Sequence, residues 1–227
     1  MTHIFLIKAM GMIKDKPISC IPTNDERYIS FSIGDLTFID SLQFLNASLE
    51  KLVLNLAKQG VGNFRILNRY IDDERVPLLL RKGIYSYEYF DSFSKFLETC
   101  LPPRSTFLNS LKDEHISKGD YVHAQNVFKQ FGCHSLGDYH DLYLKSDVLL
   151  PADVFENFRE ICLNYYKLDP AHFYMAPGLS WAACLKMTKV ELELLTDVDM
   201  HLFNEEGLRG GISVICNRYS KSYRILD

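Results

Sequence analysis

Three features of the sequence predict an α/β (α+β) fold. Residues 17–22, 28–33 and 36–39 are short runs rich in β-branched and aromatic side chains, separated by turn signals at Asn24-Asp25-Glu26 and Gly34-Asp35. Residues 46–59 follow at once with an apolar stripe of Leu49, Leu52, Val53, Leu54 and Leu56, as an amphipathic helix requires. In residues 137–166, Leu142, Val148, Leu149, Val154, Phe155, Phe158 and Ile161 recur mostly at helical intervals and predict one long amphipathic helix. A strand layer with a helix laid over it is a mixed layer, and the three strands should form a mixed sheet covered by helix 46–59 and by the long helix over 139–166.

Taken in order, the chain opens with a mixed apolar pattern over residues 3–12 that predicts a helix ending near Gly11. The three strands should form a meander. Helix 46–59 has Asn46 as its candidate N-cap and stops at Gly60. A charged patch, Asp72-Asp73-Glu74-Arg75, precedes a short helix at 76–81 and an aromatic cluster of Tyr85, Tyr87, Tyr89 and Phe90. That cluster reads as packing beneath a loop, with base stacking as the alternative. Residues 92–99 look helical, Pro102-Pro103 breaks the chain, and 118–131 is a further amphipathic helix ended by Gly132. Pro151 falls inside the long helix, where it removes a backbone donor and favours a bend at a cost of about 3 kcal/mol. After Asp169-Pro170, helices are expected at 179–187, which carries Trp181, and at 196–204.

The 227 residues, 47% hydrophobic and 24% charged, suffice for a proper core in one or two soluble domains. A formal net charge of −4 argues against a protein that coats nucleic acid by charge alone, so any such contact should be a local groove. Six cysteines without a CxxC pair signal neither zinc nor a disulfide framework and read as reduced, buried small hydrophobes. No apolar run is long enough to span a bilayer, and the N-terminus does not read as a signal peptide. An intracellular location, nuclear or at a site of viral replication, is the expectation, with no membrane partner.

Tyr143 and Asp147 lie four positions apart on the long helix, which places phenol and carboxylate on one face with Cβ atoms about 5–6 Å apart. Such a pair can hold a divalent metal and orient a water for phosphodiester hydrolysis. A half-buried Tyr beside a solvated Asp is the structural alternative.

The run Tyr143-Leu-Lys-Ser-Asp147 resembles the YxxxD third exonuclease motif of family-B DNA polymerases, and GDYHDLYLKSDVLL with ADVFENFR around it is similar to the protein-primed branch. That branch is carried by self-synthesising Polinton/Maverick transposons and related viruses. The likeness extends to FIDSLQFLNASLEKLV, LLRKGIYSYEYFDS, DPAHFYMAPGLSW and LRGGISVICNRY. It implies an incomplete ribonuclease-H-like 3′–5′ exonuclease domain with helical insertions over 1–168, then a linker and the start of a polymerase palm over 169–227. It implies a DNA-directed DNA polymerase acting in replication, with single-stranded primer end, template and dNTP as ligands and a terminal protein as primer.

Within that resemblance, Lys82-Gly83-Ile84-Tyr85 is similar to the Kxxh motif, whose lysine steadies the scissile phosphate. A solvated lysine at a helix end is the alternative. Ser41-Leu42-Gln43-Phe44-Leu45 resembles the (S/T)Lxxh motif, in which Ser41 and Leu42 would hold the primer end. Leu208-Arg209-Gly210-Gly211 resembles YxGG, where Arg209, Gly210 and Gly211 would meet template phosphates; Leu208 replaces the tyrosine, and a Gly-Gly turn opening a strand at 212–216 is the alternative. Pro151 stands where the family pattern suggests Leu.

Proofreading in this family uses Mg²⁺ or Mn²⁺ held by acids of two further motifs, expected upstream of Met1; only Asp147 has a counterpart here. The polymerase carboxylates have none, and Asp227 is unassigned between a palm residue and an ordinary acid. The chain therefore reads as the middle of such a polymerase, inactive alone. The other class is a non-catalytic remnant serving as a DNA- or protein-binding module.

Overall fold

The computed structural model describes residues 16–24, 28–72, 74–81, 83–109 and 114–208. The expected helix at 3–12, Lys82, Arg209, Gly210, Gly211, the strand at 212–216 and Asp227 lie outside them. The described residues fall into two units that divide between Met187 and Thr188. The chain is of mixed α and β type with a small three-stranded sheet.

Strands β1 (Ile18–Pro22), β2 (Tyr28–Ile33) and β3 (Leu36–Ile39) form the expected meander, paired in the order β1-β2-β3. The pairing is antiparallel throughout, so the sheet is not mixed: the short connections favour hairpins, whereas parallel neighbours need a long crossover. Gly34, at φ +55°, makes the β2–β3 turn. Phe31 opposes Phe38, and the rings stack at 4.6 Å. All five residues of the edge strand β1 are exposed. The sheet is not covered by the two long helices as part of one core: its buried residues Ser30, Phe31 and Ile33 belong to no part of the principal cluster.

That cluster is helical. It joins α1 (Leu49–Ala57), α2 (Lys118–Gln130) and α3 (Leu136–Tyr166) through Val53, Leu56, Ala124, Val127, Leu142 and Val154, with Phe64, Leu67 and Val76 supplied by the segment between. The cap of α1 is Ser48, whose hydroxyl accepts the Lys51 N–H at 3.4 Å. Asn46 is pre-empted because the chain still turns there, with the Leu45 N–H on the Ser41 carbonyl. The helices expected at 76–81 and 92–99 are single 3₁₀ turns, Val76–Leu78 and Phe93–Leu97, too short to propagate as α-helix.

Helix α3 has 31 residues, about 46 Å of rise. Ser135 and Asp138 close a capping box at its start, and Lys167 ends it in the left-handed conformation at φ 56°. It runs unbroken through Pro151, whose ring leaves the Asp147 carbonyl without its usual helical donor. Two residues on, the buried carboxylate of Asp153 accepts the N–H groups of Ile66 and Leu67 at 2.7 and 2.9 Å, pinning that loop to the helix. Arg159 grips Asp169 through Nε and Nη2 at 3.0 and 2.6 Å, fixing the turn Pro170–His172 that leads to α4 (Ala176–Thr188).

In the second unit the described structure is α5 (Val198–Gly207), opened by Asp197 on the Asp199 N–H at 2.8 Å and without a buried residue. Cys162 is buried, but Cys20, Cys100 and Cys184 are exposed, against the expectation of burial. No helix of the described residues is long and apolar enough to cross a membrane.

Candidate functional site

Residues 83–87 form a strap laid across the first half of α3, and three helix residues hold it. Tyr139 donates its hydroxyl to the Ile84 carbonyl at 2.6 Å. His140 Nδ1 meets the Tyr85 hydroxyl at 2.6 Å. Tyr143 stacks on Tyr85 with ring centroids 4.6 Å apart, and its hydroxyl bonds that of Tyr87, a residue 56 positions away in the chain. Buried Ser86 fixes the strap from the other side through the Thr106 carbonyl at 2.6 Å. Within the aromatic cluster Tyr85 also stacks on Phe90 at 4.8 Å, while Tyr87 stays largely exposed.

Gly83 makes the strap's approach possible. A Cβ there would lie 2.7 Å from Tyr143 Cε2 and 2.8 Å from Cδ2, inside any tolerable contact.

Strap and helix enclose one side of a cleft of about 370 Å³. Its floor is apolar, with Val53 of α1, Leu78, Ile84, Val127 of α2, and Leu142 and Leu150 of α3. Its polar rim carries Tyr87, Tyr143, Asp147, Arg81, His123 and Glu50. Tyr143 and Asp147 thus share one cavity, as their spacing predicts, with Tyr143 half-buried and Asp147 exposed.

Burial, the Tyr87 hydrogen bond and the nearby Asp147 charge all push the Tyr143 phenol well above its ordinary range. Burial, with Tyr87 nearby, raises Tyr85 to about 12. Both are neutral phenols at physiological pH, able to orient a water or a ligand oxygen but not to act as phenolate. His123 is lowered, first by burial and then by the Arg81 charge, so its imidazole is held toward the neutral form.

The sequence-predicted site residues are distributed as follows. Arg81 and Gly83, the neighbours of Lys82, both line the cleft. Ser41 and Leu42 do not; they sit in an exposed 3₁₀ turn capped by Asp40, which accepts the Leu42 N–H at 3.0 Å. The Phe44 of that turn packs on Phe155 and Phe158, about 18 Å farther along α3 than Tyr143 by helical rise. Arg81, His123 and Glu50 carried no motif and were missed. The only local signal was the Arg81-Lys82 pair of cations.

Mg²⁺ or Mn²⁺, which the resemblance implies, takes several hard oxygen ligands. The cleft offers the carboxylates of Asp147 and Glu50, and among the described residues no group of three acids, histidines or cysteines converges on a point. These residues alone do not fit a two-metal centre; Asp147 fits as one ligand of it.

No protein-family model, curated protein or solved structure matches this chain.

Proposed function

We propose that the cleft between residues 81–87 and α3 binds the single-stranded 3′ end of DNA, as the proofreading cleft of a protein-primed family-B DNA polymerase of which this chain is a segment. One observation carries the reading. The segment similar to Kxxh and the segment similar to YxxxD, remote in sequence, meet at one cavity, with Arg81 and Gly83 on one wall and Tyr143 and Asp147 on the other.

The chemistry follows from these residues. The apolar floor receives an unstacked base, while Lys82 meets the adjacent phosphate as a compact positive charge. The neutral Tyr143 hydroxyl, already partnered by Tyr87, orients an oxygen at the cleft mouth. Asp147 supplies one carboxylate toward a metal, which when bound would polarise the phosphate and activate water. Ser41 and Leu42 belong to the same reading as primer contacts, and Arg209, Gly210 and Gly211 as template contacts. The incomplete ribonuclease-H-like architecture belongs to it too, supported by the order of antiparallel meander, helix α1 and long capped helix α3, and so does the palm lead-in over 169–227.

Fluorescence anisotropy with a labelled single-stranded oligonucleotide at low salt tests the proposal. Weak binding is expected, largely lost by physiological salt and reduced by Lys82→Ala to a similar degree on every sequence. Absence of binding, or binding indifferent to Lys82→Ala, would refute it and favour a remnant without nucleic-acid function.

A further inference from the structure

Helix α2 belongs to none of the motifs, yet it forms the wall of the cleft that faces α3, through His123 and Val127. Arg81 stands on that wall, and one of its nitrogens, Nη2, donates to Oδ1 of Asp120 in the first turn of α2. The other Asp120 oxygen, Oδ2, is engaged by the Ser117 hydroxyl at 2.8 Å, and the Asp120 N–H donates to that same hydroxyl at 3.0 Å. Asp120 is therefore anchored to the start of its helix independently of Arg81.

The geometry points to Arg81 as a second phosphate ligand of the cleft, for the backbone of a single-stranded nucleic acid, with Asp120 as an internal competitor that the phosphodiester displaces. The inference rests on the single-stranded DNA reading above.

Four features support it. The guanidinium presents a planar fork of five N–H donors, and the bond to Asp120 occupies Nη2, so that among the described residues Nε and Nη1 retain donors for an incoming phosphate. The pair is partly solvated, with side chains 41% and 31% exposed, a setting in which an ion pair contributes little and exchanges readily. Neutral His123 adds no competing cation, so the positive charge on the described part of this wall is Arg81's. Glu50 and Asp147 also reach the rim and repel a phosphate, which confines the anion to the Arg81 side.

The full chain, titrated against a fluorescein-labelled single-stranded oligonucleotide at low salt, separates this role from that of a simple tether. Arg81→Ala should weaken binding at least five-fold and flatten the plot of log affinity against log salt by about 0.7, the loss of one single-strand phosphate contact. Asp120→Asn should tighten binding two-fold or more, because the amide oxygen still serves Ser117 while the competing charge is gone. A tether predicts instead that both substitutions weaken binding alike, since each breaks the same bond. An oligonucleotide with an uncharged methylphosphonate backbone should bind wild type and Arg81→Ala equally.

If Arg81→Ala melts early, Arg81→Gln and the Asp120→Asn arm carry the test. Binding that responds to Lys82→Ala but not to Arg81→Ala overturns this inference and leaves the proposed function standing. No binding by the wild-type chain overturns both.

Discussion

Gly83 lies so close beneath the Tyr143 ring that an added methyl group would come within 2.7 Å of Cε2. The ring cannot retreat freely, because Tyr85 stacks on it and Tyr87 holds its hydroxyl. This contact joins the two segments on which the functional reading depends. Gly83→Ala should therefore destabilise the chain by roughly 1–3 kcal/mol as an overpacking change. In a Tyr143→Ala background the same substitution should be nearly neutral, so urea denaturation of the four proteins should show a large coupling energy. Additive effects would mean that Gly83 and the Tyr143 ring are not in contact.

Asp153 holds the loop at Ile66 and Leu67 through two N–H bonds at 2.7 and 2.9 Å while only 2% exposed. Asp153→Ala leaves both donors without an acceptor, the Leu67 N–H buried and the Ile66 N–H partly so, and is expected to cost about 2–4 kcal/mol. Asp153→Asn keeps one acceptor and should cost less. Denaturant midpoints measure both, and a neutral Asp153→Ala would contradict this anchoring.

How much of this was legible in the sequence depended on range. The meander, α2 and α3 were readable because their signals are local: alternating or helical periodicity and Gly turns, whereas the Ser135–Asp138 box that starts α3 went unread. The 3₁₀ turns at Val76–Leu78 and Phe93–Leu97 were over-read as helices because so few residues leave no period to measure. Tyr143 and Asp147 could be paired by helical spacing. The strap contacts of Gly83 and the Arg81–Asp120 bond could not, since nothing local records partners so distant in the chain. The sheet was expected beneath the helices because strand-then-helix order says which elements are adjacent in sequence, but not which apolar faces meet.

Asp169, gripped by Arg159, has its carboxyl pulled down from 3.8 to about 2. The unfolded chain binds that proton more readily than the folded one, so acid favours unfolding. The stabilisation is complete well above pH 3.8 and disappears as the pH falls through about 2. Asp169→Asn should lower stability by roughly 1–2 kcal/mol near neutral pH. The gap between wild type and variant in thermal melts should close as the pH is lowered through that window. A gap that does not change with pH would mean the ion pair is not the source.

The 227-residue chain by itself should show no 3′-end trimming of single-stranded DNA in Mg²⁺ or Mn²⁺, nor any polymerisation. Asp147 and Glu50 alone do not position two metals. A gel assay with end-labelled oligonucleotide checks this, and trimming that disappears in Asp147→Ala would show that the metal site is more complete than these residues imply.

The central claim is that the cleft takes a strand end rather than a strand. Competition in anisotropy between a linear oligonucleotide with a free 3′ hydroxyl and a circular single strand of the same sequence tests it most directly. The linear strand should displace the labelled probe at least ten-fold more effectively, and Lys82→Ala should erase the difference. Equal competition by the circle would contradict end binding and reduce the cleft to a general anion surface.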